Sequence, residues 1–127
     1  MSQRIIIVED DDGLREILQL VLQQEGFVVD TCADGQQALD YFEVAKKENR
    51  RLAMVMLDLN MPGVDGWEVS KWLDADPVLG KVPVVVISAT QEHGEAAKKL
   101  HADAYLVKPF STDEILGVVG LFSLLSP

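Results

Sequence analysis

Short apolar runs alternate with segments of helical period five times along this chain. Residues 4–8, 27–31, 53–57, 82–87 and 104–107 are each bounded by turn or cap signals and rich in Val, Ile, Leu and Met, which predicts five short strands. Between the first two, Leu14, Ile17, Leu18, Val21 and Leu22 recur at helical spacing, and Gly26 marks the stop. Ala38, Leu39, Phe42 and Ala45 mark a second helix. A third runs from about Asp65 to Ala75 and is broken by Pro77 and the Leu79-Gly80 pair. A short helix holds Glu95 to Leu100, and the last spans Asp113 to Leu125 with Ser111 or Thr112 as its N-cap.

A regular (βα)5 alternation of this kind implies an α/β domain, a doubly wound parallel five-stranded sheet with helices on both faces. Right-handed crossovers leave few topologies, and the order 2-1-3-4-5 places the switch point between strands one and three. No repeat, linker or low-complexity stretch interrupts the pattern. Residues 1–127 are therefore expected to form one domain, with no output domain in the chain.

Composition narrows the function. The chain carries 21 Asp and Glu against 11 Lys and Arg, a formal charge of −10, which argues against direct nucleic-acid binding and for cations or basic protein surfaces as partners. The basic stretch Lys46-Lys47-Glu48-Asn49-Arg50-Arg51 reads as a helix end whose cations complement the dipole. A lone cysteine, Cys32, excludes an internal disulfide and reads as a small buried apolar residue in a reducing, cytoplasmic setting. No apolar run approaches the length of a membrane span, and no signal peptide pattern opens the chain.

The strand ends carry the chemistry. Strand one is followed by Glu9-Asp10-Asp11-Asp12, of which Asp11, Asp12 or both begin the next helix. Strand three is followed by Asp58, strand four by Ser88, Ala89 and Thr90, and strand five by Lys108-Pro109. In open α/β sheets ligands bind at this carboxyl edge. Glu9, Asp10 and Asp58 brought together repel one another, which protonation, a bound lysine or a divalent cation would offset. Mg²⁺ suits an all-oxygen site of few carboxylates, and no Cys/His cluster points to zinc or a redox metal. A carboxylate beside Mg²⁺, a lysine and a hydroxyl suits phosphoryl transfer, with Asp58 as nucleophile.

Four segments together resemble the receiver domain of two-component response regulators, the CheY-like superfamily. They are Ile5-Ile6-Ile7-Val8-Glu9-Asp10-Asp11, Met56 through Gly66, Val84-Val85-Val86-Ile87-Ser88-Ala89 and Ala104-Tyr105-Leu106-Val107-Lys108-Pro109-Phe110. The resemblance implies that Asp58 is the phosphoacceptor. It implies that Asp10, Glu9 (directly or through water), Asp58 and the Asn60 backbone carbonyl hold Mg²⁺. It assigns Ser88 and Tyr105 as switch residues, Lys108 as the contact to the phosphoryl group, and a cis Lys108-Pro109 bond. The donor would be a histidine kinase or histidine phosphotransfer protein. His93 and His101 are poor donors, having no phosphotransfer motif around them.

The chain departs from the family at His101, where glycine is usual, and in a segment from Ser88 to Lys108 about two residues shorter than is common. Both fall beside the helix at 95–100, which with strand five and the last helix forms the family's output face. The last helix is unusually apolar, and its excess suggests a second buried face against a partner, another copy of the chain or a missing domain. A receiver excised from a larger regulator or hybrid kinase is the alternative to a stand-alone switch. A phosphatase working through an aspartyl phosphate is disfavoured, because Asn60 stands where dehalogenase-like enzymes carry a second Asp. A phosphorylation-independent adaptor is disfavoured by the complete acidic pocket. Trp67, just after Gly66, is expected to pack the third helix, with a place near enough to the site to report Mg²⁺ by fluorescence, and Trp72 to serve packing alone.

Overall fold

The computed structural model describes residues 3–89 and 102–125, with side chains through Leu121. Its strands are β1 (Arg4–Val8), β2 (Val28–Cys32), β3 (Met54–Asp58), β4 (Val84–Ser88) and β5 (Ala104–Val107). Its helices are α1 (Asp12–Gln24), α2 (Gly35–Lys47), α3 (Gly66–Ala75) and α4 (Thr112–Leu125), with a 3₁₀ turn at Leu79–Lys81. All strand pairs are parallel, in the order β2-β1-β3-β4-β5 that the sequence predicts. The helix expected at Glu95–Leu100, together with Thr90, His93 and His101, lies outside the described residues.

Each central strand feeds two cores because successive side chains point to opposite faces. Ile5 and Ile7 pack with Leu18 and Leu22 of α1 and with Ile115 and Val119 of α4. Ile6 and Val8 face the other way, onto Ala38 and Phe42 of α2 and Val69 and Leu73 of α3. This two-sided burial explains why β1 and β3 read as unbroken apolar runs rather than as alternating strands. Cys32 is buried, as its type suggested.

Backbone donors account for the boundaries that differ from the periodicity. β2 starts at Val28 rather than Phe27 because the Phe27 N–H is already used, closing the end of α1 on the Leu22 carbonyl after Gly26 at φ 93°. β4 starts at Val84 rather than Val82 because the Val82 N–H closes the 3₁₀ turn on Leu79 and Pro83 has none to give. β3 is shifted one residue, so Asp58 itself is its last member and pairs with Ile87.

Helix starts follow the acidic residues. Asp11, Asp34 and Asp65 each accept from the backbone N–H three residues on: Leu14 at 2.9 Å, Gln37 at 2.8 Å and Glu68 at 3.0 Å. For α4 the cap is Ser111, whose Oγ accepts the Glu114 N–H at 3.1 Å while Glu114 Oε1 accepts the Ser111 N–H at 3.3 Å. All four of these caps sit in the βα loops at the carboxyl edge, so the helices and the acidic strand ends converge there. Among the described residues, no helix is long and apolar enough to cross a membrane.

Candidate functional site

Parallel pairing brings the ends of β1, β3 and β5 to one edge of the sheet. Glu9 follows β1 directly, and its N–H donates to the Cys32 carbonyl at 3.1 Å, which extends the β1–β2 ladder by one step. Asp58 closes β3, and the next N–H, Leu59, donates to the Ile87 carbonyl at 3.0 Å. Lys108 follows β5, anchored by its N–H on the Ser88 carbonyl at 2.8 Å. The register therefore places Glu9, Asp58 and Lys108 before any of their side chains touches another.

Asp58 and Glu9 are both inaccessible to solvent, at 1% and 0% exposure, while Asp10 is exposed. One carboxylate oxygen from each of Glu9, Asp10 and Asp58 lies within 4.8 Å of the others. Lys108, just after β5, places Nζ 2.9 Å from Glu9 Oε1 and 3.4 Å from Asp58 Oδ2, across the position of β4 in the sheet. Two buried carboxylates thus share one ammonium. The remaining oxygens use backbone donors: Glu9 Oε2 accepts from Asp11 N at 3.2 Å, and Asp58 Oδ1 from Asn60 N at 3.0 Å.

The electrostatics follow from that crowding. Burial, then the neighbouring Asp58 carboxylate, push the Glu9 carboxyl up to about 8, with Lys108 pulling the other way. Burial works against the Lys108 ammonium, but Glu9 and Asp58 outweigh it and raise its pKa above the usual lysine value. Glu9 Oε1 has no hydrogen-bond partner among the described residues; its contact with Lys108 is an ion pair without the alignment of a hydrogen bond. A buried carboxylate oxygen left this way, facing two further carboxylates, fits a hard cation with oxygen ligands. With the three carboxylates ionised and Lys108 charged, the cluster carries −3 + 1 = −2, the complement of a divalent ion.

Ser88 is fully buried at the end of β4, one residue beyond the partner of Asp58. Asn60 is exposed just past Asp58, and its described contact with that carboxylate is through its N–H. Tyr105 pairs with Val86 on β5 and is 43% exposed. The Lys108-Pro109 bond is cis. Trp67 is half-buried against Val86 and against Leu59, the residue after Asp58, whereas Trp72 stacks on Phe42 with ring centroids 6.0 Å apart.

Two supporting residues escaped the sequence reading. Arg15 donates from Nη1 to the Glu9 backbone carbonyl at 2.9 Å, holding the acidic loop against α1; an arginine one turn into the helix after an acidic cluster was the available signal. Gly66 lies so close to the backbone of Asp58 and Leu59 that no side chain fits there, a proximity that only the folded chain reveals.

Residues 5–120 match the response regulator receiver domain family. The alkaline phosphatase synthesis transcriptional regulatory protein SphR of Synechococcus elongatus is 39% identical over 121 residues, covering 91% of this chain and 46% of SphR. The phosphate regulon transcriptional regulatory protein PhoB of Rhizobium meliloti is 36% identical, covering 94% of this chain and 51% of PhoB. The chain thus spans about half the length of the curated relatives it matches. Among solved structures, the chemotaxis response regulator CheY4 of Vibrio cholerae superposes with a TM-score of 0.83 at 27% identity, covering 96% of this chain and 99% of CheY4. The response regulator TrrA of Thermotoga maritima, solved in complex with Mg(2+)-BeF, gives 0.80 at 30% identity, covering 94% and 98%.

Proposed function

The chain belongs to the response regulator receiver domain family, and on that premise we propose that it is a phosphorylation switch whose acceptor is Asp58. The observation that carries this reading is the pairing of a solvent-excluded Asp58 with Glu9, Asp10 and Lys108 at the carboxyl edge of the sheet.

A carboxylate oxygen of Asp58 forms a bond to phosphorus as the bond from phosphorus to the donor breaks, and the departing group leaves with that electron pair. The donor is the phosphohistidine of a histidine kinase or phosphotransfer protein, or a small acyl phosphate. The product is an aspartyl phosphate. Lys108, already within 3.4 Å of Asp58, turns its ammonium to the new phosphoryl oxygens. The Asn60 N–H holds the other Asp58 oxygen and so fixes which face of the carboxylate meets the donor. Ser88 supplies a hydroxyl at the end of the adjacent strand.

Glu9, Asp10 and Asp58, with the Asn60 carbonyl, would hold Mg²⁺, which would offset charge on the transferring group. Ser88 and Tyr105 carry the change outward, and β5 with the helices beside it is the surface that reads it. Output to transcription, as the names of SphR and PhoB indicate for those proteins, would require segments beyond the length matched here.

Incubation with acetyl phosphate and Mg²⁺, followed by intact mass measurement, tests the assignment. A gain of one phosphoryl group that disappears in Asp58→Asn is the expected result. The same gain in the variant would overturn the role of Asp58.

A further inference from the structure

We propose that a cavity at the opposite, amino edge of the sheet binds a small amphipathic anion: an aromatic or alkyl body carrying a single carboxylate, sulfonate or phosphate. The cavity lies between the end of α2, the start of β3, the end of α3 and the 3₁₀ turn, and encloses about 460 Å³, the size of an organic ligand site. Its floor is apolar. Leu52 and Leu79 are largely buried there, Val82 flanks them, and Val78 stands 72% exposed at the mouth. An exposed valine beside a concave apolar floor is surface that a bound apolar body would cover.

The rim defines the charge of the ligand. Lys46, Arg50 and Arg51 all line it, on a chain whose formal charge is −10. The lining includes one carboxylate, Asp76, and it is already committed. Asp76 Oδ1 lies 2.9 Å from Lys46 Nζ, and Oδ2 accepts the Val78 and Leu79 N–H groups at 3.1 and 2.8 Å. Those donors hold Asp76 ionised, and Asp76 in turn holds Lys46 in place. Arg50 is occupied by Glu48 at 2.6 Å. Arg51 is exposed and makes no ion pair with any described residue, so its guanidinium is the cation left to meet an incoming anion. A cationic rim over an apolar floor selects an amphipathic anion over a neutral compound or a cation. The site is separate from the acidic pocket, being at the other end of the strands.

Titration with anilinonaphthalene sulfonate, which has an aromatic body and one sulfonate, tests the proposal on the intact chain. Expected is saturable binding at one equivalent, with backbone amide resonances of Leu52, Val78, Leu79 and Val82 shifting together. Trp72 provides a second signal, because Lys46 of the rim lies over its ring at 5.7 Å. Arg51→Glu, at an exposed position, should weaken binding roughly 3- to 10-fold. Neutral phenylnaphthylamine should bind more weakly than the sulfonate. Non-saturable binding, resonance shifts away from these residues, or equal affinity in Arg51→Glu would overturn the proposal. So would a dimer in sedimentation that Val78→Asp dissolves, since the occupant would then be a second copy of the chain.

Discussion

Gly66 abuts the backbone of Asp58. A Cβ added to Gly66 would overlap the Asp58 carbonyl oxygen and lie 2.6 Å from Leu59 Cα and 2.8 Å from the Asp58 carbonyl carbon. Those are backbone atoms, with no flexible end that could move aside. The first turn of α3 is thereby packed against the end of β3, and the Gly66 N–H donates to the Leu59 carbonyl at 3.3 Å.

Gly66→Ala is therefore expected to cost about 2–3 kcal/mol by overpacking and to slow phosphorylation, because the relief must come from moving Asp58 or α3. Urea unfolding and the rate of acetyl phosphate labelling measure the two effects. Wild-type stability in the variant would show that the contact is looser than the geometry implies.

Gly117 gives the opposite sign. It lies inside α4, exposed, with no atom near an added Cβ. Gly117→Ala should stabilise the chain by about 0.5–1 kcal/mol through helix propensity alone. A thermal melt that drops instead would place a partner surface or an unseen contact at that position.

How much of this was legible beforehand depends on whether a feature is local. The strand order and the acidic strand ends were readable because strands buried on both faces leave unbroken apolar runs, and because Asp58 and Glu9 stop those runs abruptly. The helix start after β1 was readable as Asp11, Asp12 or both, because acidic residues favour a helix N-terminus, and Asp11 is the one that caps it. The shift of β2 by one residue was not, since it turns on the Phe27 N–H being taken by α1. The sequence brought Glu9, Asp58 and Lys108 to one edge and offered a bound lysine, but Glu9 and Lys108 are 99 residues apart, just past strands that are not neighbours, so no spacing announces that Lys108 lies nearer Glu9 than Asp58. The stretch at 46–51 was read as a helix end, and Lys46 and Lys47 do close α2, but its second role, rimming a cavity, needs segments from four parts of the chain.

Lys108 offsets two carboxylates that a divalent cation would also offset, so lysine and metal compete electrostatically. Lys108→Met should slow phosphorylation roughly 10- to 100-fold, as loss of a charge-stabilising group does. The same variant should bind Mg²⁺ more tightly, because the cation then meets an uncompensated acidic pocket. Calorimetric titration with Mg²⁺ separates the two effects. Weaker Mg²⁺ binding in the variant would mean that Lys108 positions Glu9 and Asp58 more than it repels the metal.

The raised Glu9 carboxyl makes metal-free stability fall with pH. Below 4.5, the ordinary value, Glu9 is protonated in both the folded and unfolded chain and contributes no slope. Between 4.5 and about 8 the unfolded chain has released this proton while the folded chain keeps it, so rising pH favours unfolding. Above about 8 both states are ionised and the contribution levels off. Asp76, whose carboxyl is lowered, loses its stabilising effect only as pH falls below its ordinary 3.8, outside this window. In urea titrations with EDTA, stability should therefore decline from pH 5 to pH 8 by an amount that Glu9→Gln removes, since glutamine keeps the shape without the proton. Saturating Mg²⁺ should flatten the same decline, because a cation bound to Glu9 and Asp58 favours their ionised forms in the folded chain. A slope that persists unchanged in Glu9→Gln would assign the pH dependence to another group.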